Sequence, residues 1–499
     1  MKANLILLAL ALIALPASPA ISATRQTAAS QPAEKASGEL FETYMRQLFG
    51  KKYAEALATA SKLELDPGNK EGRAIVAAMR AAALLGLERD EEARKLFAEA
   101  GDLAPNESYP SYLQFQIGLI TDNIDVAAIA LDRMIARMPD VVRDLDRNAV
   151  SYFLRNEPKG EERKNGDRRI AIARLGYGGQ TETGDYMASN AMKILMERGD
   201  VAGARDLVRY IDEPQLVENL LIQKRYAPLW PEIEAQAGPH LQKARASAVS
   251  SAERYYQESP EDHERLQLLI NALRHAGRLD EALALREKLP ADSAGMASAD
   301  EQMGWAVNNM SLALHEAGRA EEADQLFALL NNAPMADENW RVSMKINRLE
   351  LLVADGKFTQ ALPLIEPTAK VEGSPYAYQL VRRLRYCTFH GLGRRQEAAR
   401  LLPELMEHAK DAISPTIDAL LCAGQIDEAE KLALASLADE EFQEDFVRQL
   451  QKQSLTSDDP SVWTKGWREL RQRPAIAAKF NELGRDLPSA FLPPERRTN

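Results

Sequence analysis

From Leu266 to Pro290 apolar and polar positions alternate with a helical period, break, and resume. Leu266, Leu269, Ile270 and Leu273 fall at i, i+3, i+4 and i+7, Gly277 interrupts, and Leu279, Ala282 and Leu283 begin a second stripe. The spacing predicts a helix, a tight turn and an antiparallel helix. The turn recurs as Gly-x4-Ala at Gly199/Ala204, Gly277/Ala282, Gly318/Ala323, Gly356/Ala361, Gly393/Ala398 and Gly424/Ala429. One such unit cannot bury its stripe alone, so the repetition predicts a stack of helix pairs, each covering the next.

Earlier units are less regular. Leu40, Phe41, Met45, Leu48 and Phe49 make a first stripe, and Tyr53, Ala56, Leu57 and Ala60 a return helix closed by Asp66-Pro67-Gly68-Asn69. A second unit runs through Glu88, Ala93, Phe97 and Ala100 to Pro105, and a third through Asn123, Ala128 and Leu131 to Pro139. The rhythm fails over 141–185, where a charged stretch precedes Gly176-Tyr177-Gly178-Gly179-Gln180, and over 205–262, where Tyr226-Ala227-Pro228-Leu229-Trp230-Pro231 reads as a distorted turn. Ala128, Ala204 and Ala282 are 76 and 78 residues apart, so each gap reads as one decayed unit. After Leu450 two helices carrying Trp463, Trp467 and Leu470, then Ile476, Phe480 and Leu483, read as a cap on the last exposed face.

The order Ala93, Phe97, Ala100, Pro105, the Gly-x4-Ala turns and the Asp66-Pro67 ending resemble the tetratricopeptide repeat (TPR). Successive anchors Ala282, Ala323, Ala361, Ala398 and Ala429 lie 41, 38, 37 and 31 residues apart, around that family's 34-residue period. The resemblance covers residues 40 to 440, although the family's aromatic and Gly-Tyr positions in the first helix are mostly missing. It implies an all-α, TPR-like fold, a right-handed superhelical solenoid of antiparallel helix pairs. The expected organisation is a signal peptide (1–23), a disordered leader (24–37), N-terminal repeats (38–140), irregular helical repeats with insertions (141–262), C-terminal repeats (263–450), a helical cap (451–487) and a loose tail (488–499).

Lys2, the apolar run Leu5 to Leu15 and the small residues ending near Ala20 or Ala23 form a cleavable export signal, too short to span a bilayer. The expected location is therefore outside the cytoplasm, in the periplasm. With 62 basic and 74 acidic residues the chain carries a net charge of −12, which argues against nucleic acid as a partner. Aromatic residues are only 6%, so an extended stacking platform is not expected. The two cysteines, Cys387 and Cys422, cannot supply a disulfide framework; 35 residues apart, about one repeat, they could sit on neighbouring helices and bridge, but two separate half-buried thiols are the preferred reading.

Signatures of catalysis are sparse. His315-Glu316 lacks a second histidine three residues on, the other histidines have no metal-ligand spacing, and neither Ser-x-x-Lys nor Gly-x-Ser-x-Gly occurs. The Gly176 to Gln180 run follows a helical pattern and reads as an inter-helix loop rather than a phosphate cradle. No cofactor, metal or catalytic residue is expected. The enzyme alternative rests on Glu107-Ser108, which superficially looks like the acid and serine of solenoid-containing lytic transglycosylases; Glu107 reads better as a solvated first-turn acid.

Binding of a protein or peptide is the stronger reading. In the family this chain resembles, first-helix positions before the turn glycine line a concave groove. Carried over, they give Glu264, Gln267, Asn271, Arg274 and His275 before Gly277, and Trp305, Asn308, Leu312, His315 and Glu316 before Gly318. Before Gly393 they give Leu380, Arg383, Cys387, His390 and Gly391, and before Glu88 the apolar set Ile75, Ala78, Ala82, Leu85 and Gly86. Gln267, Asn271, Arg274, Trp305, Asn308, His315, Arg383 and His390 are thus the candidate partner-binding residues, with Trp305 equally suited to the core. Arg382, Arg383, Arg385, Arg394, Arg395 and Arg400 concentrate charge with only Glu397 nearby, and read as a solvated face paired with acids of neighbouring repeats. Self-association through terminal faces is a further possibility.

Overall fold

The structure is a computed structural model that describes residues 31–63, 68–103, 108–179, 182–333, 339–369, 373–452 and 461–492. The export signal, Asp66-Pro67, Glu107 and the tail from 493 lie outside the described residues. The regular structure described is helical throughout, with one isolated antiparallel bridge, so the all-α expectation holds. The chain divides into two compact units, 1–195 and 196–499.

The first unit contains α1 (Gln31–Phe49), α2 (Tyr53–Ala60), α3 (Lys70–Gly86), α4 (Asp90–Leu103), α5 (Ser108–Ile120), α6 (Ile124–Arg137), α7 (Pro139–Arg143), α8 (Arg147–Arg155) and α9 (Glu162–Arg174), and α10 (Glu182–Glu197) leads out of it. Helix α1 begins inside the stretch expected to be a loose leader. Three hairpins, α1/α2, α3/α4 and α5/α6, form its regular part. The alanines Ala77, Ala78, Ala81 and Ala82 let neighbouring helices approach α3 closely, and Tyr44 donates from its hydroxyl to the Met79 carbonyl at 2.8 Å in the same core. Over 139–179 the packing relies on specific polar contacts. Arg168 is 5% exposed and forks onto Asp132 at 2.7 and 2.9 Å, Arg169 pairs with Glu157 at 2.6 Å, and Tyr177 donates to the Leu145 carbonyl at 3.1 Å. A Cβ on Gly184 would lie 2.1 Å from the Gly179 carbonyl, so this glycine run serves close backbone packing.

One turn is used nine times among the described residues. A residue of positive φ stands five places before a buried alanine at Lys51/Ala56, Glu88/Ala93, Asp122/Ala127, Gly199/Ala204, Gly277/Ala282, Gly318/Ala323, Gly356/Ala361, Gly393/Ala398 and Gly424/Ala429. In most of them the following N–H closes back onto the helix, as Arg319 N does on Leu314 O at 2.8 Å and Arg89 N on Leu84 O at 2.9 Å. The third turn therefore sits at Asp122/Ala127, one residue before the Asn123/Ala128 phase expected; Asn123 instead caps α6 through Val126 N.

The second unit opens with irregular helices: α11 (Val201–Leu207), α12 (Pro214–Ile222), α13 (Trp230–Ala237) and α14 (Gln242–Glu258). 3-10 turns over Val208–Tyr210 and Lys224–Leu229, and left-handed His240 and Leu241, put them out of phase with the repeats. Regular hairpins follow: α15 (His263–His275), α16 (Leu279–Ala284), the short α17 (Ser293–Ala297), α18 (Glu301–Glu316), α19 (Ala320–Asn331), α20 (Asn339–Ala354), α21 (Phe358–Ala369), α22 (Pro375–Gly391), α23 (Arg395–Glu407), α24 (Ile413–Cys422) and α25 (Ile426–Ala438). The unit ends with α26 (Gln443–Gln449), α27 (Thr464–Gln472) and α28 (Pro474–Leu483).

Cys387 of α22 and Cys422 of α24 form a disulfide, with Cα atoms 5.6 Å apart. This corrects the expectation of separate thiols. Adjacent first helices bring the two positions, one repeat apart, within bridging distance, so the alternative that the 35-residue spacing left open is the one realised.

The end of this unit returns to its beginning. Arg485 N donates to Ile222 O at 2.8 Å, Gly484 bridges Gln223, and the Arg485 side chain reaches Leu221 O at 2.6 Å and Glu234 at 2.9 Å. Its guanidinium lies 3.4 Å from the centre of the Trp230 ring. Gln451 clamps the segment from the other side, donating to Arg485 O and accepting from Leu487 N at 3.0 and 2.9 Å, and His240 meets Leu492 O at 2.6 Å. Beyond capping a free face, the last helices close the array onto its first ones.

Candidate binding surface

The first helices of the regular hairpins, α15, α18, α20, α22 and α24, pack side by side, so residues of equal phase meet across each interface. A chain of polar contacts results. Asn309 donates to the backbone and side-chain oxygens of Gln267 at 3.2 and 3.1 Å, and Asn308 donates to Asn309 at 3.3 Å. Asn347 then donates to Asn308 at 2.8 Å. One helical turn further along α20, Glu350 pairs with Arg383, which donates to Asp418 at 2.6 Å; Asp418 also accepts from the Trp467 indole at 2.7 Å. A second line runs beside the turns, with Arg274 to Glu316 at 2.9 Å and His315 to Asp355 at 2.8 Å.

The candidate partner-binding residues consequently fall into two groups. Arg383 and Asn308 are 4% and 5% exposed and occupied by protein partners, so neither is presented to a ligand. Around Arg383 the space assigned to a partner is filled in cis: Trp463 stacks 4.9 Å from its guanidinium, and Trp467 closes on its acid. The family phase placed these positions on an inner face, but the phase says nothing about a distant segment folding back over it. Gln267, Asn271, Arg274, Trp305, His315 and His390 are half-buried. Trp305 packs partly on the core formed by Met303, Val307 and Phe327, with its indole N–H 3.5 Å from Glu301, and His390 stacks on Tyr386.

Four of the six arginines in the expected basic face pair with acids, though Arg383 is buried rather than solvated. Arg382 pairs with Glu404 at 2.6 Å, Arg385 with Glu366 at 2.7 Å, Arg383 with Glu350 and Asp418, and Arg394 with Glu397. A small cleft lined by His315, Asp324, Arg348, Asp355 and Lys357 is also balanced internally, through Arg348 to Asp324 at 2.7 Å and Lys357 to Asp355 at 3.0 Å. Among the described residues no cluster of three His, Cys, Asp or Glu could hold a metal ion, and no helix is long and apolar enough to cross a membrane.

One group joins phase residues, Arg274 and His275, to helices outside the repeat rhythm. His275 receives Arg274 at 2.8 Å and Gln215 at 3.0 Å on Nε2, and burial, with the charges of Arg274 and Arg245, pushes its pKa down to about 4. Arg245, on irregular α14, carries a buried Nε without a partner, and burial lowers its own pKa. Nothing in the local sequence signals this meeting, because α12 and α14 fall outside the repeat rhythm.

No family model and no curated protein matches this chain. Among solved structures it is similar to the structure of Naa15/Naa10 bound to HypK-THB, at 14% identity over 89% of this chain and 79% of that one, with a TM-score of 0.22. The helices and turns described above, rather than that likeness, define it as a helical-repeat protein.

Proposed function

We propose that this protein is an exported, periplasmic helical-repeat scaffold that binds a protein or peptide partner along the first helices of its second unit and performs no chemistry itself. The observation that carries this reading is the polar chain from Gln267 to Asp418, which ties five successive first helices in register. Groups flanking that chain, Asn271, Trp305 and His315, are held in place before a partner arrives, so binding orders few side chains. The disulfide between α22 and α24 supports export, since such bonds persist in oxidising compartments. So does the short apolar run behind Lys2.

The test is proximity crosslinking in the native envelope, comparing wild type with an Asn271→Ala, Trp305→Ala double variant of unchanged circular dichroism. The expected result is loss of the major crosslinked partners. Retention of the same partners in the variant rejects the surface, and recovery of the full-length chain from the cytoplasm with Leu5 to Leu15 intact rejects export.

A further inference from the structure

We propose that Val462 and Trp463 occupy, in cis, a seat for a tryptophan-bearing segment of the protein partner, so that the chain's own strap and the partner compete for the face of Arg383. The inference rests on the partner-binding reading above and deepens it, by naming the side chain that this end of the surface accepts and the contact that holds it closed.

The seat has three parts, each held by the repeats rather than by the strap. Arg383 of α22 pairs with Glu350 of α20 and donates to Asp418 of α24 at 2.6 Å, so its guanidinium is fixed from two sides before a ring covers it. The Trp463 ring lies on that guanidinium, 4.9 Å from the cation to the ring centre, a contact that favours an aromatic over an aliphatic side chain. The apolar core of α20, α21 and α22, which includes Val353, Ile365 and Leu384, takes the rest of the indole. The third part is the Ala354 carbonyl, which accepts from Val462 N at 3.1 Å. It is one of the last four carbonyls of α20, which a helix cannot pair internally, and the N–H it accepts carries no side-chain information. Specificity is therefore left to the ring, and the space for an indole is demonstrated by the one seated there.

Trp463 differs from Trp467, one helical turn later. Trp467 is buried and its indole donates to Asp418 at 2.7 Å, whereas Trp463 is half-buried and its indole N–H makes no hydrogen bond among the described residues. Helix α27 has anchors of its own in Trp467, in buried Leu470 and in Arg473, which pairs with Glu430 at 2.8 Å. The residues before its first turn can therefore leave the seat while the helix stays docked. What they uncover continues the polar line of the first helices, since Glu350 stands one turn along α20 from Asn347. A partner lying along α15, α18 and α20 meets this seat next.

The experiment measures the fluorescence anisotropy of a labelled, end-blocked peptide with the sequence of Pro460 to Lys465 against the full chain as wild type, Trp463→Ala and Val462→Pro. The second variant keeps the ring and removes the N–H donated to Ala354. Binding about tenfold tighter to Trp463→Ala than to wild type is expected, the order of one cation–aromatic contact with its apolar burial, with Val462→Pro between the two. A peptide with leucine in place of the tryptophan should lose that gain. In the native envelope Trp463→Ala should raise the crosslinking yield of the partners that the Asn271→Ala, Trp305→Ala variant loses. No saturable binding to Trp463→Ala, equal affinity for all three chains, or equal binding of the leucine peptide overturns the proposal. So does loss of the cooperative unfolding transition in both variants, because the strap is then a fixed part of the cap. An unchanged crosslinking yield in Trp463→Ala, where the double variant does lose its partners, overturns the competition. Tighter peptide binding beside partners retained in the double variant rejects the wider surface and supports the seat.

Discussion

The regular hairpins of the second unit and the irregular helices that precede them find partners for their polar groups in different ways. From α15 to α24 each interface repeats the last, so an amide or charge at one phase faces a partner at the same phase, as Asn308 faces Asn347 and Arg383 faces Asp418. Across α12 and α14, 3-10 turns and left-handed His240 and Leu241 shift the phase, and the buried Nε of half-buried Arg245 has no hydrogen-bond partner. Repetition pairs many polar groups as a by-product of its geometry, although Ser311, Thr388 and the Nε atoms of Arg274 and Arg383 keep no hydrogen-bond partner. Where repetition is lost, partners come from dedicated contacts, as the Trp230 indole finds Leu220 O at 3.1 Å.

That contrast can be broken first at its most cooperative point. Asp418→Ala removes the acid that holds both Arg383 and Trp467, leaving a nearly buried cation with only Glu350. A loss of about 3–5 kcal/mol is expected in chemical denaturation. Replacing both Cys387 and Cys422 by Ala should cost about 2–4 kcal/mol, from the unfolded-state freedom of a loop of about 35 residues. Its melting temperature should match that of the wild type with reductant present. Arg485→Ala, which cuts the return of the chain onto Leu221, Glu234 and Trp230, should cost about 2–3 kcal/mol and enlarge the radius measured by small-angle scattering. Unchanged scattering would mean that the neighbouring contacts close the array without it.

Smaller effects sharpen the comparison. Gly318 has open space around its α-carbon, so Gly318→Ala tests the left-handed turn alone and should cost about 1–2 kcal/mol, read from thermal unfolding. The pH dependence separates the irregular region. The folded pKa of His275, about 4, lies below its ordinary 6.5, so the unfolded chain takes up this proton first as pH falls. The stability tied to a neutral His275 is complete above about 6.5 and is lost between about 6.5 and about 4. In urea titrations across that window His275→Gln should show a shallower decline than wild type.

Most of the architecture is legible in the sequence because its signals are local. The Gly-x4-Ala turns, the buried alanines and the cap residues Trp467, Leu470, Ile476 and Phe480 all lie where the apolar spacing puts them. Even Glu88 adopts the left-handed turn that glycine takes elsewhere, at φ 60°. The candidate surface is legible only in part. Helical phase locates Arg274, Trp305 and His315 on one face, but whether such residues meet solvent or each other depends on the distance between neighbouring first helices. The filling of the Arg383 region by Trp463 and the contact of Arg485 with Trp230 depend on tertiary approach between distant segments, for which a single sequence carries no periodic mark, whereas the one-repeat spacing of Cys387 and Cys422 allowed a bridge without deciding it.

The return of Arg485 onto Trp230 also bears on how such a chain can change over generations. Open repeat arrays lengthen or shorten readily, since a duplicated pair meets the same neighbours as its template. Here a duplicated hairpin between Gly318 and Ala429 would carry Arg485 past its seat, and a deleted one would leave it short. The number of repeats in this unit is therefore set by closure, and drift is channelled into substitutions and loop lengths instead of unit count.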